Sequence, residues 1–192
     1  IPYKSAYKFL KKRVDSLKKQ KGKDLLWILE HPLTFTSGIR SKKNEILDKK
    51  IKIIETNRGG KITLHNPGQK IVYFVLNLNN KKKDIRNLVK QIEISIIQFL
   101  KIYSITAYTD KENIGVWVKG KKIAAIGIRV SQWIAYHGCS ININNNLEHY
   151  KKIVPCGLDN NKITSIATES KKKITNVNKN LQKIFIKNLK NI

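Results

Sequence analysis

The chain has 192 residues, with 39 Lys plus Arg against 13 Asp plus Glu, giving a formal net charge of +26. A hydrophobic content of 41% supports a packed core and excludes a disordered polycation. The longest apolar run covers only residues 71–76, far short of the ~20 residues of a membrane-spanning helix. In chain order, Ser5 is positioned to cap a first helix in which Ala6, Phe9, Leu10, Val14 and Leu17 recur at helical spacing. Residues 25–29 predict a buried strand closed by Pro32, residues 51–54 a short strand, and residues 71–78 the most apolar strand. The clearest helix follows at 84–101, where Ile85, Leu88, Val89, Ile92, Ile96, Phe99 and Leu100 share a face. Strands are expected at 114–118, 122–130 and 133–143, a helical turn at 145–150, and a last amphipathic helix through Val177, Leu181, Ile184, Phe185 and Leu189. Helices and strands in this order predict an α/β protein of the α+β type. Its sheet is mixed and mostly antiparallel, flanked by helices, in one domain over residues 1–192.

The charge invites a nucleic-acid ligand, but its composition argues otherwise. Arg supplies only 5 of the basic residues and Lys 34, and Lys, Ile and Asn together make up 83 residues. These are the residues that AT-rich coding favours, whereas base recognition leans on the bidentate guanidinium. Whatever its origin, the surface attracts acidic partners, and salt weakens that attraction. There is no methionine, at position 1 or elsewhere, and the expectation is a chain that begins downstream of its own start. Two cysteines, Cys139 and Cys156, are too few for a disulfide framework or a four-thiolate zinc site and point to a reducing cytoplasm. With four histidines at these spacings they form no recognisable metal set.

Glycine, histidine and cysteine gather in three places. In RGGKITLHNPGQ, residues 58–69, the paired glycines let a ligand approach the main chain, and Arg58 stands out in a chain that otherwise uses Lys. A hairpin with a structural His65 is the plainer alternative, and no Walker loop is present. In residues 115–140, Lys119 and Lys121 are solvated charges around Gly120, whereas Lys122 opens directly onto Ile123, Ala124, Ala125, Ile126 and Gly127. Such small residues leave room for an acyl chain and equally suit tight strand packing. In IVPCGL, residues 153–158, Cys156 sits between Pro155 and Gly157. A free cysteine is commonly a small core hydrophobe. One displayed on a turn is the better nucleophile, and Cys139, in a strand-like HGCSINI, is the weaker candidate.

Taken in order, LEHP at 29–32, the RGG-to-PGQ stretch at 58–69, GVWV, KIAAIG and RVS at 115–131, HG with two following asparagines at 137–144, VPCG at 154–157 and TSI at 164–166 resemble the lipoyl(octanoyl) transferase family. The resemblance covers residues 25–170 and implies a fold like the catalytic domains of biotin and lipoate ligases. It implies that Cys156 is the acyl-accepting nucleophile and that Lys122 lowers its pKa. The acyl substrate would be bound by Arg58, Gly59, Gly60, Lys61, Ile62, Thr63, Leu64 and His65, by Ala125, Ile126 and Gly127, and by Gly138, Cys139 and Ser140. No cofactor or metal is implied. The donor would be an octanoyl acyl-carrier protein. The acceptors would be lipoyl domains of 2-oxoacid dehydrogenase complexes and the glycine-cleavage H protein, with neither nucleic acid nor membrane as partner. Lys61 stands where the family tends to have Asp or Gln, Leu64 replaces an aromatic residue and Asn66 a glycine, and Cys139 and Ser140 replace a larger apolar residue and Ala. The alternatives are an ATP-dependent lipoate–protein ligase of the same fold, which needs no nucleophilic cysteine, and a non-catalytic basic module that binds nucleic acid.

Overall fold

Helix α1 (Tyr3–Lys18) forms because Tyr3, Ala6, Leu10, Val14 and Leu17 return to one side every three or four residues, and all five are buried. The expected cap at Ser5 is not used. The helix begins three residues earlier with Pro2 as N-cap, where a missing N–H is no loss. The chain then leaves through left-handed Gln20 and Gly22. The structure is a computed structural model and describes residues 1–155 and 162–192. After α1 come β1 (Leu25–Leu29), β2 (Thr34–Ser37), β3 (Ile53–Glu55), β4 (Thr63–His65), β5 (Gln69–Asn77), α2 (Ile85–Ile102), β6 (Tyr108–Thr109), β7 (Val116–Val118), β8 (Lys121–Ser131), β9 (Ile134–Asn142), α3 (Ile166–Glu169) and α4 (Val177–Asn188). Short 3-10 turns lie at Lys43–Glu45, Leu147–Lys152 and Leu189–Asn191.

The main sheet has the order β1-β5-β9-β8-β7-β6, with every neighbouring pair antiparallel. A small sheet, β3-β2-β4, holds a parallel pair between β2 and β3 and an antiparallel pair between β2 and β4. The expected mixed, mostly antiparallel α+β architecture is therefore present. Several details differ from the sequence expectation, which included neither β6 nor α3. The strand expected at 51–54 runs over Ile53–Glu55, because Ile51 is spent closing a turn onto the Asp48 carbonyl. Central strand β2 had no signal, since a four-residue Thr-Phe-Thr-Ser strand carries almost no apolar pattern.

β5 explains why its sequence is apolar without alternation. Ile71, Tyr73 and Val75 pack toward α1, while Val72, Phe74 and Leu76 join the larger cluster with Leu88, Ile92, Ile96 and Phe99 of α2 and Leu181 and Phe185 of α4. Both faces of the strand are covered, so both demand apolar side chains. Truncating one such residue, Ile92 for example, to Ala costs about 2–5 kcal/mol. α2 is fixed at its start by Asp84, whose carboxylate accepts the Asn87 N–H at 2.9 Å. No helix among the described residues is long and apolar enough to cross a membrane.

Candidate active site

A cleft lies where the 58–65 segment crosses the α1-facing side of the main sheet. Its walls come from Arg58, Gly60, Lys61, Thr63 and His65 on one side and from Ala125 to Gly127 and Gly138 to Ser140 on the other. Tyr3, Ile71, Tyr73 and His137 line it as well. Its floor is largely main chain, because Gly127 and Gly138 are direct cross-strand partners and neither has a side chain. Gly138 cannot be replaced without movement. Its φ is +158°, and a Cβ there would sit 1.9 Å from the Val72 carbonyl oxygen. A Cβ on Gly127 would meet the Gly59 carbonyl at 3.1 Å and the Arg58 side chain at 3.6 Å.

Arg58 holds this wall. Its guanidinium donates to the Thr36 carbonyl at 2.9 Å, to Thr36 Oγ1 at 3.0 Å and to the Gly59 carbonyl at 3.0 Å. A planar fork spans these acceptors where a lysine ammonium would not, which accounts for an arginine in a lysine-rich chain. The Gly59 N–H then reaches the Ile128 carbonyl at 3.2 Å and lays the segment along β8.

The protonation of His65 follows from a chain of hydrogen bonds with one fixed end. The Thr164 carbonyl only accepts, so Asn142 Nδ2 is its donor, at 3.0 Å. Asn142 Oδ1 therefore accepts from Gln69 Nε2 at 3.0 Å, and Gln69 Oε1 accepts from His65 Nδ1 at 2.8 Å. Neutral His65 thus carries its proton on Nδ1 and a lone pair on Nε2. Burial, added to by Arg58 and the neighbouring His31 and His137 against the opposing Gln69 bond, pushes its pKa down from 6.5 to about 3. His137 is pushed to about 3 by burial, then by Arg58 and Arg129, and its Nε2 lies 2.8 Å from Asn57 Oδ1. Both imidazoles are neutral at physiological pH. His31 sits behind the wall, accepting from the Tyr73 hydroxyl at 3.0 Å.

A second, narrower cavity shares Thr63, Ala125 and Ser140 with the first and continues to Lys122, Tyr150, Pro155 and Ile163. Lys122 is buried, 6% exposed, at the start of β8. Cys156 and Gly157 fall in residues 156–161 and lie outside the described residues. The chain on either side of them is anchored. Val154 N–H donates to the Glu45 carbonyl at 2.8 Å before them, and Thr164 N–H donates to the Lys122 carbonyl at 3.0 Å after them. Cys139 is in the core, and burial pushes its thiol pKa well up.

Of the residues expected to bind substrate, the structure brings Arg58, Gly60, Lys61, Thr63, His65, Ala125, Ile126, Gly127, Gly138, Cys139 and Ser140 to one cleft. It does not bring Ile62 and Leu64 there; both pack with Phe35, Tyr150 and Ile153 under the small sheet. Gly59 is spent on its contact with β8. Sequence reasoning missed Tyr3, Ile71 and Tyr73, and left His137 without a role. Only His137, beside Gly138 in HG, carried a usable signal. Tyr3 reads as one more core residue of an amphipathic helix.

Against known proteins, residues 2–189 match the model of the lipoyl protein ligase A/B catalytic domain. The chain belongs to that family. It is 40% identical over 171 residues to an octanoyltransferase of Wolbachia sp. subsp. Brugia malayi, covering 86% of this chain and 83% of the relative. It is 43% identical over 172 residues to an octanoyltransferase of Ehrlichia chaffeensis, covering 86% and 80%. Among solved structures, a putative lipoate protein ligase of T. acidophilum with bound lipoic acid superposes with a TM-score of 0.73 at 14% identity, over 88% of this chain and 74% of that one. The biotin protein ligase of Aquifex aeolicus gives 0.52 at 15% identity, over 81% and 69%. The expected biotin and lipoate ligase fold is the fold found.

Proposed function

We propose that this protein is an octanoyltransferase of protein lipoylation, an acyltransferase that moves an octanoyl group from an acyl-carrier protein to a lysine of a lipoyl domain in the cytoplasm. The acceptors are the lipoyl domains of 2-oxoacid dehydrogenase complexes and the glycine-cleavage H protein. The observation that carries this proposal is identity of about 40% to octanoyltransferases over nearly the whole of both chains. The apolar cleft supports it, because it continues through Thr63, Ala125 and Ser140 to Lys122 and Pro155, the residue before Cys156.

In this mechanism the Cys156 thiolate attacks the thioester carbonyl of the donor, and the carrier thiolate leaves. The octanoyl chain lies over the Gly127–Gly138 floor. The amine of the acceptor lysine then attacks the enzyme thioester, an amide forms, the Cys156 thiolate is expelled and the nitrogen loses its extra proton to solvent. No ATP is needed, since the donor is already a thioester. An ordinary thiol with a pKa near 8.5 is only about 3% ionised at pH 7, and a nearby cation lowers a pKa by roughly 1–3 units. Lys122 supplies that cation. Cys139 is a poor rival, because its burial disfavours the thiolate.

Intact mass spectrometry after incubation with octanoyl carrier protein tests the proposal. One octanoyl group should add, be released by hydroxylamine, and vanish or become a more stable ester in Cys156→Ser. An adduct kept in Cys156→Ala and lost in Cys139→Ala would reassign the nucleophile. Turnover retained in Cys156→Ala with ATP and free acid would make the protein a ligase.

A further inference from the structure

Lys122 is more tightly held than a general cation needs to be. Its Nζ donates to the Ile114 carbonyl at 3.0 Å and stands 5.0 Å from the centroid of the Trp117 ring. Trp117 and Lys122 are cross-strand partners in the β7–β8 hairpin, brought opposite each other by a register shift at Val116/Trp117. The ring is 5% exposed and fixed in turn, since its Nε1 donates to the Asn113 carbonyl at 3.0 Å. Gly115 lets the main chain come this close. Its φ is +145°, and a Cβ there would lie 2.8 Å from Lys122 Cε and 2.7 Å from the Ala124 carbonyl. The carbonyl that Lys122 meets and the Gly115 N–H belong to one peptide unit, and burial raises the pKa of Glu93 of α2 while the Gly115 N–H opposes that rise. Asp110 also feels the Lys122 charge, from the open side.

We infer that Trp117, together with the Ile114–Gly115 peptide, is a positioning device that holds the Lys122 ammonium at the inner end of the cleft. The inference rests on the function proposed above, which gives that ammonium its purpose. The physical logic is that of a desolvated cation, which needs compensation from all sides. A carbonyl takes one N–H and the aromatic face meets the charge. Trp133 makes a control, because the exposed Lys83 lies 5.5 Å from its partly buried ring, away from the cleft.

The test compares Trp117→Phe, Trp117→Leu, Lys122→Ala and Trp133→Leu. The first readout is the rate of Cys156 alkylation by iodoacetamide against pH, followed at that peptide by mass spectrometry. A second readout, independent of the thiol, is the chemical shift of the Lys122 side-chain methylenes, which a stacked indole moves upfield. Trp117→Leu should slow alkylation at pH 7 about fivefold and shift its midpoint up, Trp117→Phe should lie between it and wild type, and Trp133→Leu should change nothing. Trp117→Leu combined with Lys122→Ala should add nothing to Lys122→Ala alone, which separates positioning from a general loss of stability. A normal alkylation profile in Trp117→Leu beside a shifted one in Lys122→Ala overturns the inference. Unshifted methylenes in the wild type overturn it directly. A normal profile in Lys122→Ala overturns the proposed role of the lysine in catalysis, while upfield methylenes would still uphold the Trp117 contact.

Discussion

His65 and His137 carry a cost that shows only in acid. Both have pKa values near 3 in the folded chain against 6.5 for an ordinary histidine. Between those limits the unfolded chain binds two protons that the folded chain refuses. Stability is therefore complete above about pH 6.5 and falls as pH drops toward 3, by about 1.4 kcal/mol per pH unit for each histidine at the steepest. Carboxylates held low by their partners against burial, such as Glu30 beside Lys70 and Gly68, act from the usual carboxylate range downward, and Glu93, raised by burial, acts in the opposite sense just above it. Urea midpoints should decline from pH 6.5 to 4.5. The combined variant His65→Asn and His137→Gln should flatten that decline, since each amide nitrogen replaces the ring donor toward Gln69 or Asn57. A wild-type midpoint that stays level across this range would contradict the burial argument.

Among elements, the sequence announced those whose apolar residues recur often enough to define a face. α2 was readable to within a residue at each end because six of its buried positions follow a helical period and Asp84 marks its start. β1, β5, β8 and β9 were readable because they are long or continuous. β2 and β3 were missed or displaced because a strand of three or four residues contains too few side chains to show alternation. The cleft was half legible for a related reason. Residues that sit near each other in RGGKITLH or KIAAIG could be grouped, but Tyr3 reaches the cleft only through the packing of α1 on β5 and β9. No local pattern encodes that docking. The glycine pair of β8 and β9 gives the sharpest test at this scale. Gly138→Ala should lose about 3 kcal/mol or more, or fail to fold, because its methyl meets backbone at 1.9 Å. Gly127→Ala, with 3.1 Å to a loop carbonyl, should cost about 1–2 kcal/mol. It should also favour hexanoyl over octanoyl donors in competition assays read by mass spectrometry. An unchanged acyl preference in a folded Gly127→Ala would remove the floor from the proposed binding site.

The whole molecule is a strongly basic body, and on the proposed function its charge and its chemistry should respond to salt differently. Attraction toward an acidic carrier acts over a Debye length of about 10 Å at 0.1 M salt. Higher salt should therefore slow encounter and raise the apparent KM for the carrier-borne donor. A small neutral octanoyl thioester has no such long-range attraction, and Lys122 is buried, so acylation by that donor should stay nearly flat over the same range. Parallel loss with both donors would place the salt effect inside the site or in stability. If neither rate changes, the +26 charge reflects coding bias and nothing in this reaction.

A floor of main chain has no rotamers. Most apolar clefts adapt to a longer or shorter guest by swinging a leucine or methionine, and their selectivity is blurred by that freedom. Here, across the Gly127–Gly138 pair, the surface offered to the proposed acyl guest is peptide planes in the ladders that join β5, β9 and β8. Adjusting it means stretching hydrogen bonds in several strands at once. On the proposed function this part of the floor is a rigid gauge, set by strand geometry and altered by substitution, while side chains such as Tyr3, Arg58 and Lys61 form the walls.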